Sequence, residues 1–172
     1  MKGPVWVLGE VASGRVGGVS LELTGKARQL AAPLGEQVAG VLIGQGLEAA
    51  ARELIAVGAD TVFLLEHPSL TLHHSGACAR VLAGLVQEHQ PQIVLAGATS
   101  LGADVAARLA ARLETGLTAH CLDLSIEEID GVAQLVQVVP GWGGNLALRI
   151  LCPNRRPQMA TVRPGVLERP QP

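Results

Sequence analysis

Tyrosine is absent from this chain, phenylalanine occurs once (Phe63), and only Trp6 and Trp142 complete the aromatic set. A surface that stacks nucleobases on aromatic rings has almost nothing to build on, and the core must rest on Ala, Val, Leu and Ile. An excess of charge is lacking as well. A formal net charge of −2 excludes a broad nucleic-acid footprint and predicts no strong steering of charged ligands. The three cysteines, Cys78, Cys121 and Cys152, lie far apart and form no CxxC pair, so a disulfide framework or zinc knuckle has no support. Reduced, mostly buried thiols in a cytoplasmic protein are expected. There is no charged-then-apolar leader and no run of about 18 apolar residues, so neither secretion nor a membrane span is expected.

What is present is a 48% hydrophobic composition, enough for one domain burying roughly two-thirds of its unfolded surface. The clearest stretch runs from Pro91 to Arg112. Ile93-Val94-Leu95-Ala96 is an apolar run of buried-strand type, residues 97–102 form a glycine-bearing turn, and Val105, Leu109 and Leu113 then recur at helical spacing. Such a helix start presents backbone N–H groups at the carboxyl edge of a parallel sheet. Three similar units precede it. VWVL at 5–8 leads, through a loop, to a helix capped by Ser20 and stopped at Gly35. VAGVLI at 38–43 precedes a helix from about Leu47 to Val57, and TVFLL at 61–65 precedes one from about Ser75 to Glu88.

After Gly116 the helical spacing ceases. Residues 121–126, 132–139 and 146–151 read as strands added at an edge, and the proline-rich segment 153–172 cannot be regular throughout. The expectation is an α/β fold with a doubly wound, mainly parallel sheet and extra carboxyl-terminal edge strands. Residues 1–152 would form the domain and 153–172 an exit segment. Ligand sites in such sheets lie at the carboxyl ends of the strands, beside a switch point.

Gly97 and Gly102 have the spacing of a phosphate loop, but Ala103 and Asp104 stand where Lys and Ser/Thr are required, so a P-loop NTPase is not expected. Two readings stay open for Gly97, Thr99, Ser100 and Gly102: a tight strand-to-helix turn, or a backbone seat for an anion or a nucleotide such as AMP. His67, His73 and His74 have no carboxylate or thiolate at a metal-binding spacing, and His120 beside Cys121 lacks a positioned third group. No catalytic residue and no metal site are expected.

Two later segments, PGWGGN at 140–145 and PQMATVRPGV at 157–166, carry more information. Together with GLTAHC (116–121), GATSLGADVAARLAARL (97–113) and VSLELTGKARQLA (19–31), they resemble the amino-terminal domain of the alpha subunit of electron transfer flavoproteins. The resemblance covers nearly the whole chain and implies a Rossmann-like, adenine-nucleotide alpha-hydrolase-like fold. It also implies pairing with a beta subunit, transfer of electrons from dehydrogenases to an acceptor, and an FAD held mainly by a carboxyl-terminal domain that follows TVRPGV. That domain is expected to lie outside this chain, either because the chain is one domain of a longer subunit or because it is a short paralogue. Neither case predicts tight FAD binding by this chain alone.

Under this resemblance Gly143, Gly144, Asn145 and Gln158 are candidates for the docking surface, and Arg163 lies near the flavin-domain junction. Five positions depart from the family pattern: Ala103 and Val139 replace arginines, Ala107 replaces a proline, His120 replaces an acid and Trp142 replaces a phenylalanine. Loss of a planar five-donor cation is not imitated by a neighbour. The alternatives are a stand-alone adenine-nucleotide-binding protein using the 97–102 turn, and a homodimer that substitutes for absent partner domains.

Overall fold

Five apolar residues, Val5–Gly9, form β1, and all five are buried, as a strand covered on both faces requires. A short hairpin follows, β2 (Val11–Ala12) and β3 (Arg15–Val16), and then α1 (Gly18–Ala31). The alternation continues with β4 (Val38–Gly44), α2 (Glu48–Ala56), β5 (Thr61–Glu66), α3 (Ser75–His89), β6 (Ile93–Gly97) and α4 (Ser100–Arg112). The chain closes with β7 (Leu117–Cys121), β8 (Asp123–Ile129), β9 (Val132–Pro140), β10 (Ala147–Ile150) and β11 (Gln158–Val162). The structure, a computed structural model, describes residues 3–70, 74–141, 143 and 146–170.

Six strands pair in parallel in the order β5-β4-β1-β6-β11-β7. Successive side chains point to opposite faces, so the sheet carries two cores. One joins Val7, Leu42 and Leu95 to Leu23 of α1 and Leu54 of α2. The other joins Trp6, Val41 and Val94 to Leu82 of α3 and Leu109 of α4. This is the doubly wound α/β arrangement. β8, β9 and β10 form a separate antiparallel sheet that tucks Leu124, Leu135 and Val139 into the first core.

Local expectations fare differently. Gly35 does end the first helical run, in the left-handed region at φ 65 after a 3-10 turn. Ser20 does not cap α1: Gly17 is the N-cap, and Ser20 lies fully buried within the first turn, its hydroxyl accepting the Glu10 N–H at 2.8 Å. The extended stretch expected over 121–126 divides at Leu122 into a parallel strand of the main sheet and the first antiparallel strand. The register between β7 and β11 slips between Ala160 and Val162, leaving β7 one residue longer, and His120 sits there at φ 59. Such a bulge breaks the alternation from which strands are read. The proline-rich segment carries at its centre β11, buried at all five positions and inserted between β6 and β7.

Candidate functional site

The strand order reverses direction around β1: the chain crosses from β1 to β4 on one side and later returns with β6 on the other. Doubly wound sheets bind ligands in the crevice outside the carboxyl ends of those two strands. Here the crevice is bounded by Glu10, which directly follows β1, and by Gly97 to Gly102 after β6. The residues expected as an anion turn are therefore at the right place in the fold.

The turn is filled from within. Thr99 is the N-cap of α4, in extended conformation, and its hydroxyl oxygen accepts the Gly102 N–H at 2.9 Å. The same hydroxyl donates to the Glu10 carboxylate, at 2.9 Å from one oxygen and 3.0 Å from the other. Glu10 Oε1 lies 2.6 Å from where a Cβ on Gly97 would stand and 2.8 Å from where one on Gly102 would stand. A Cβ on Gly102 would also collide with the Gly97 carbonyl oxygen. Gly102 is thus required by the close approach of the Gly97 carbonyl, and at Gly97 a Cβ would crowd Glu10 and the Val19 side chain.

Electrostatics follow from this packing. Burial pushes the Glu10 carboxyl above its ordinary value, against the opposing hydrogen bond from Thr99. Its main chain is held as well, with the N–H donated to Ser20 Oγ and the carbonyl accepting the Gly17 N–H at 2.8 Å. Among the described residues no Lys, Arg or His forms a salt bridge with Glu10. A phosphate entering this crevice would meet the Glu10 carboxylate, which is hydrogen-bonded to Thr99. A carboxylate at this position opposes the negative charge of a phosphate.

The other expected residues are scattered. Ser100 opens α4, and Ala103 lies in its first turn with its N–H on the Thr99 carbonyl at 3.0 Å. Asp104 and Arg108 pair with each other at 2.8 Å on the exposed side of that helix. Arg163 is exposed, with its backbone N–H on the Cys121 carbonyl. Gly143 is exposed at φ 83, while Gly144 and Asn145 lie outside the described residues.

Gln158 is not on a surface. Its side chain is fully buried, donating to Gln134 Oε1 at 3.1 Å and the Cys152 carbonyl at 3.0 Å, and accepting the Leu135 N–H at 3.1 Å. It fastens β11 to β9, so its amide is spent inside the domain. Val139 is also core, in the first cluster. His120 is exposed on the bulge, its N–H donated to Thr161 Oγ1 at 3.1 Å.

Glu10 is the residue that sequence reasoning missed, because its partner Thr99 is 89 positions away. The available signal was a single acid at the carboxyl end of an otherwise apolar strand. Among the described residues no group of three or more His, Cys, Asp or Glu is placed to hold a metal, and no helix is long and apolar enough to cross a membrane. Burial pushes the Cys121 thiol up to about 11, which suits an inert core cysteine.

The protein-family model "Electron transfer flavoprotein domain" matches residues 5–172. The chain is 43% identical to the electron transfer flavoprotein subunit alpha of Thermoanaerobacterium thermosaccharolyticum, over 96% of this chain and 49% of that protein. It is 43% identical to Protein FixB of Rhizobium meliloti, over 97% of this chain and 48% of that protein. It is also 40% identical to the lactate dehydrogenase (NAD(+),ferredoxin) subunit LctC of Acetobacterium woodii, over 92% of this chain and 37% of that protein. The chain spans about half the length, or less, of these curated relatives.

Proposed function

The chain belongs to the electron transfer flavoprotein family, as the amino-terminal domain of an alpha subunit, and on that premise we propose that it is a scaffold for electron transfer which holds no nucleotide itself. In this reading it docks a beta subunit and positions a flavin-bearing half, and the electrons pass between dehydrogenase partners and an acceptor through the FAD of the assembled complex. The carrying observation is Glu10. A carboxylate hydrogen-bonded to the α4 N-cap occupies the crevice where this fold would take a phosphate. A stand-alone small adenine-nucleotide-binding protein is correspondingly disfavoured.

Support for a docking role comes from the antiparallel sheet. All four residues of β10 are exposed, and Leu146 (65%), Leu148 (47%), Ile150 and Leu151 place apolar side chains in solvent beside Gly143. Large apolar groups clustered on an edge strand mark a contact surface. Gly143 lies in a turn ahead of this strand, and Gly144 and Asn145 lie outside the described residues.

Reconstitution tests the reading. Purified alone, the chain is expected to be colourless. Supplied with the carboxyl-terminal half of an alpha subunit and a beta subunit, it should co-elute with them and yield the absorbance of bound flavin. Failure to associate, or a flavin spectrum from the chain alone, contradicts it.

A further inference from the structure

Past β11 the chain does not leave the domain at once. Residues 163–170 run back across α1 and are held there at several points. The Gly165 N–H donates to Glu22 Oε2 at 2.9 Å, and Glu22 is an acid only 8% exposed in the middle of a helix. Gly165 itself is at φ 79, so the Pro164-Gly165 turn that aims this N–H depends on glycine. One helical turn on from Glu22, a Cβ at Gly25 would stand 2.9 Å from Cγ and 3.0 Å from Cδ of Pro170. Leu167, between those two anchors, packs on the core shared by α1 and the sheet.

Two features of α1 that look costly in isolation are explained by this contact. Glycine in a helix interior loses about 1 kcal/mol relative to alanine, and Gly25 is where the Pro170 ring needs the room. A buried carboxylate needs a partner, and Glu22 finds one in the backbone of the crossing segment. Glu22 and Gly25 are three residues apart and so lie on one face of α1.

We propose that residues 163–170 are a strap clamped on α1, and that the clamp sets where the polypeptide departs toward the flavin-bearing half of the scaffold reading. The second clause rests on the scaffold reading above; the first stands on the contacts alone. A chain leaving from the end of β11 would start at the carboxyl edge of the sheet, beside the Glu10 crevice. The strap moves that departure point onto the helical face.

Hydrogen exchange followed by mass spectrometry on the 172-residue chain tests the clamp. The Arg163 and Gly165 amides, which donate to the Cys121 carbonyl and to Glu22, should be protected, and Glu22→Ala or Gly25→Val should each speed exchange at Gly165 by roughly tenfold or more, leaving β1 and β6 protected. Pro170→Gly offers a milder release that touches no helix residue, and it should relieve the crowding introduced by Gly25→Val when the two are combined. Free exchange of 163–170 in the unsubstituted chain, or no change in any variant, overturns the proposal. In the flavin-loaded complex of complete alpha and beta subunits, releasing the strap should change the electron-transfer rate several-fold at unchanged FAD content. An unchanged rate with a released strap overturns the positioning role. An unsubstituted complex without FAD would instead count against the scaffold reading, with the exchange result still deciding the clamp.

Discussion

At the scale of single residues, the defining placement is the Glu10 carboxylate at the start of α4, and its titration reports on it. Burial raises its pKa above the ordinary 4.5, so the folded state favours the protonated form. The stability contributed by this group is therefore complete below about pH 4.5 and is lost as pH rises through the raised folded value. Glu10→Gln removes that dependence. Urea unfolding at a series of pH values should show the variant gaining on the parent across the mildly acidic range, and a difference that does not vary with pH contradicts the placement. Asp60 and Asp123 are held low: burial alone would raise each, but it is outweighed by hydrogen bonds from the Val38 N–H and Arg28 to Asp60, and from Lys26 and the Leu124 N–H to Asp123. They titrate alike in both proteins and cancel from the comparison. Gly97, Thr99 and Gly102 could be read from sequence as a turn because the strand, the glycines and the helix are consecutive. Glu10 could not, since only the packing of β1 beside β6 brings it to Thr99.

At the scale of elements, β1, β4, β5 and β6 were legible as local apolar runs and α1 to α4 by their helical spacing. β11 was not. Its residues QMATV lie between prolines, and what makes them a strand is the gap between β6 and β7 that they fill. Gln158 turns from a candidate docking residue into a fastener between two sheets. Gln158→Ala should therefore lower stability by about 2–4 kcal/mol, since it strands the Leu135 N–H and other buried groups. Chemical denaturation checks this, and a loss under about 1 kcal/mol contradicts the fastening role. The converse holds on β10. Leu148→Asp should change stability by no more than about 0.5 kcal/mol yet weaken association with a beta subunit by roughly tenfold or more. Calorimetry on the two purified partners measures it, and unaltered affinity removes β10 from the interface.

At the scale of the whole molecule, a doubly wound sheet has the turn at its switch point occupied by Glu10, hydrogen-bonded to Thr99, and an exposed apolar strand elsewhere. Fold class was legible in the order of strands and helices, and family membership in motifs such as PQMATVRPGV. The Glu10–Thr99 contact was legible in neither, because it spans the switch point. Titration of the isolated chain with AMP and with FAD, followed by calorimetry, tests the central claim most directly. Flat titrations with both ligands are the predicted result. Saturable one-to-one binding of either ligand at micromolar concentration would contradict the account.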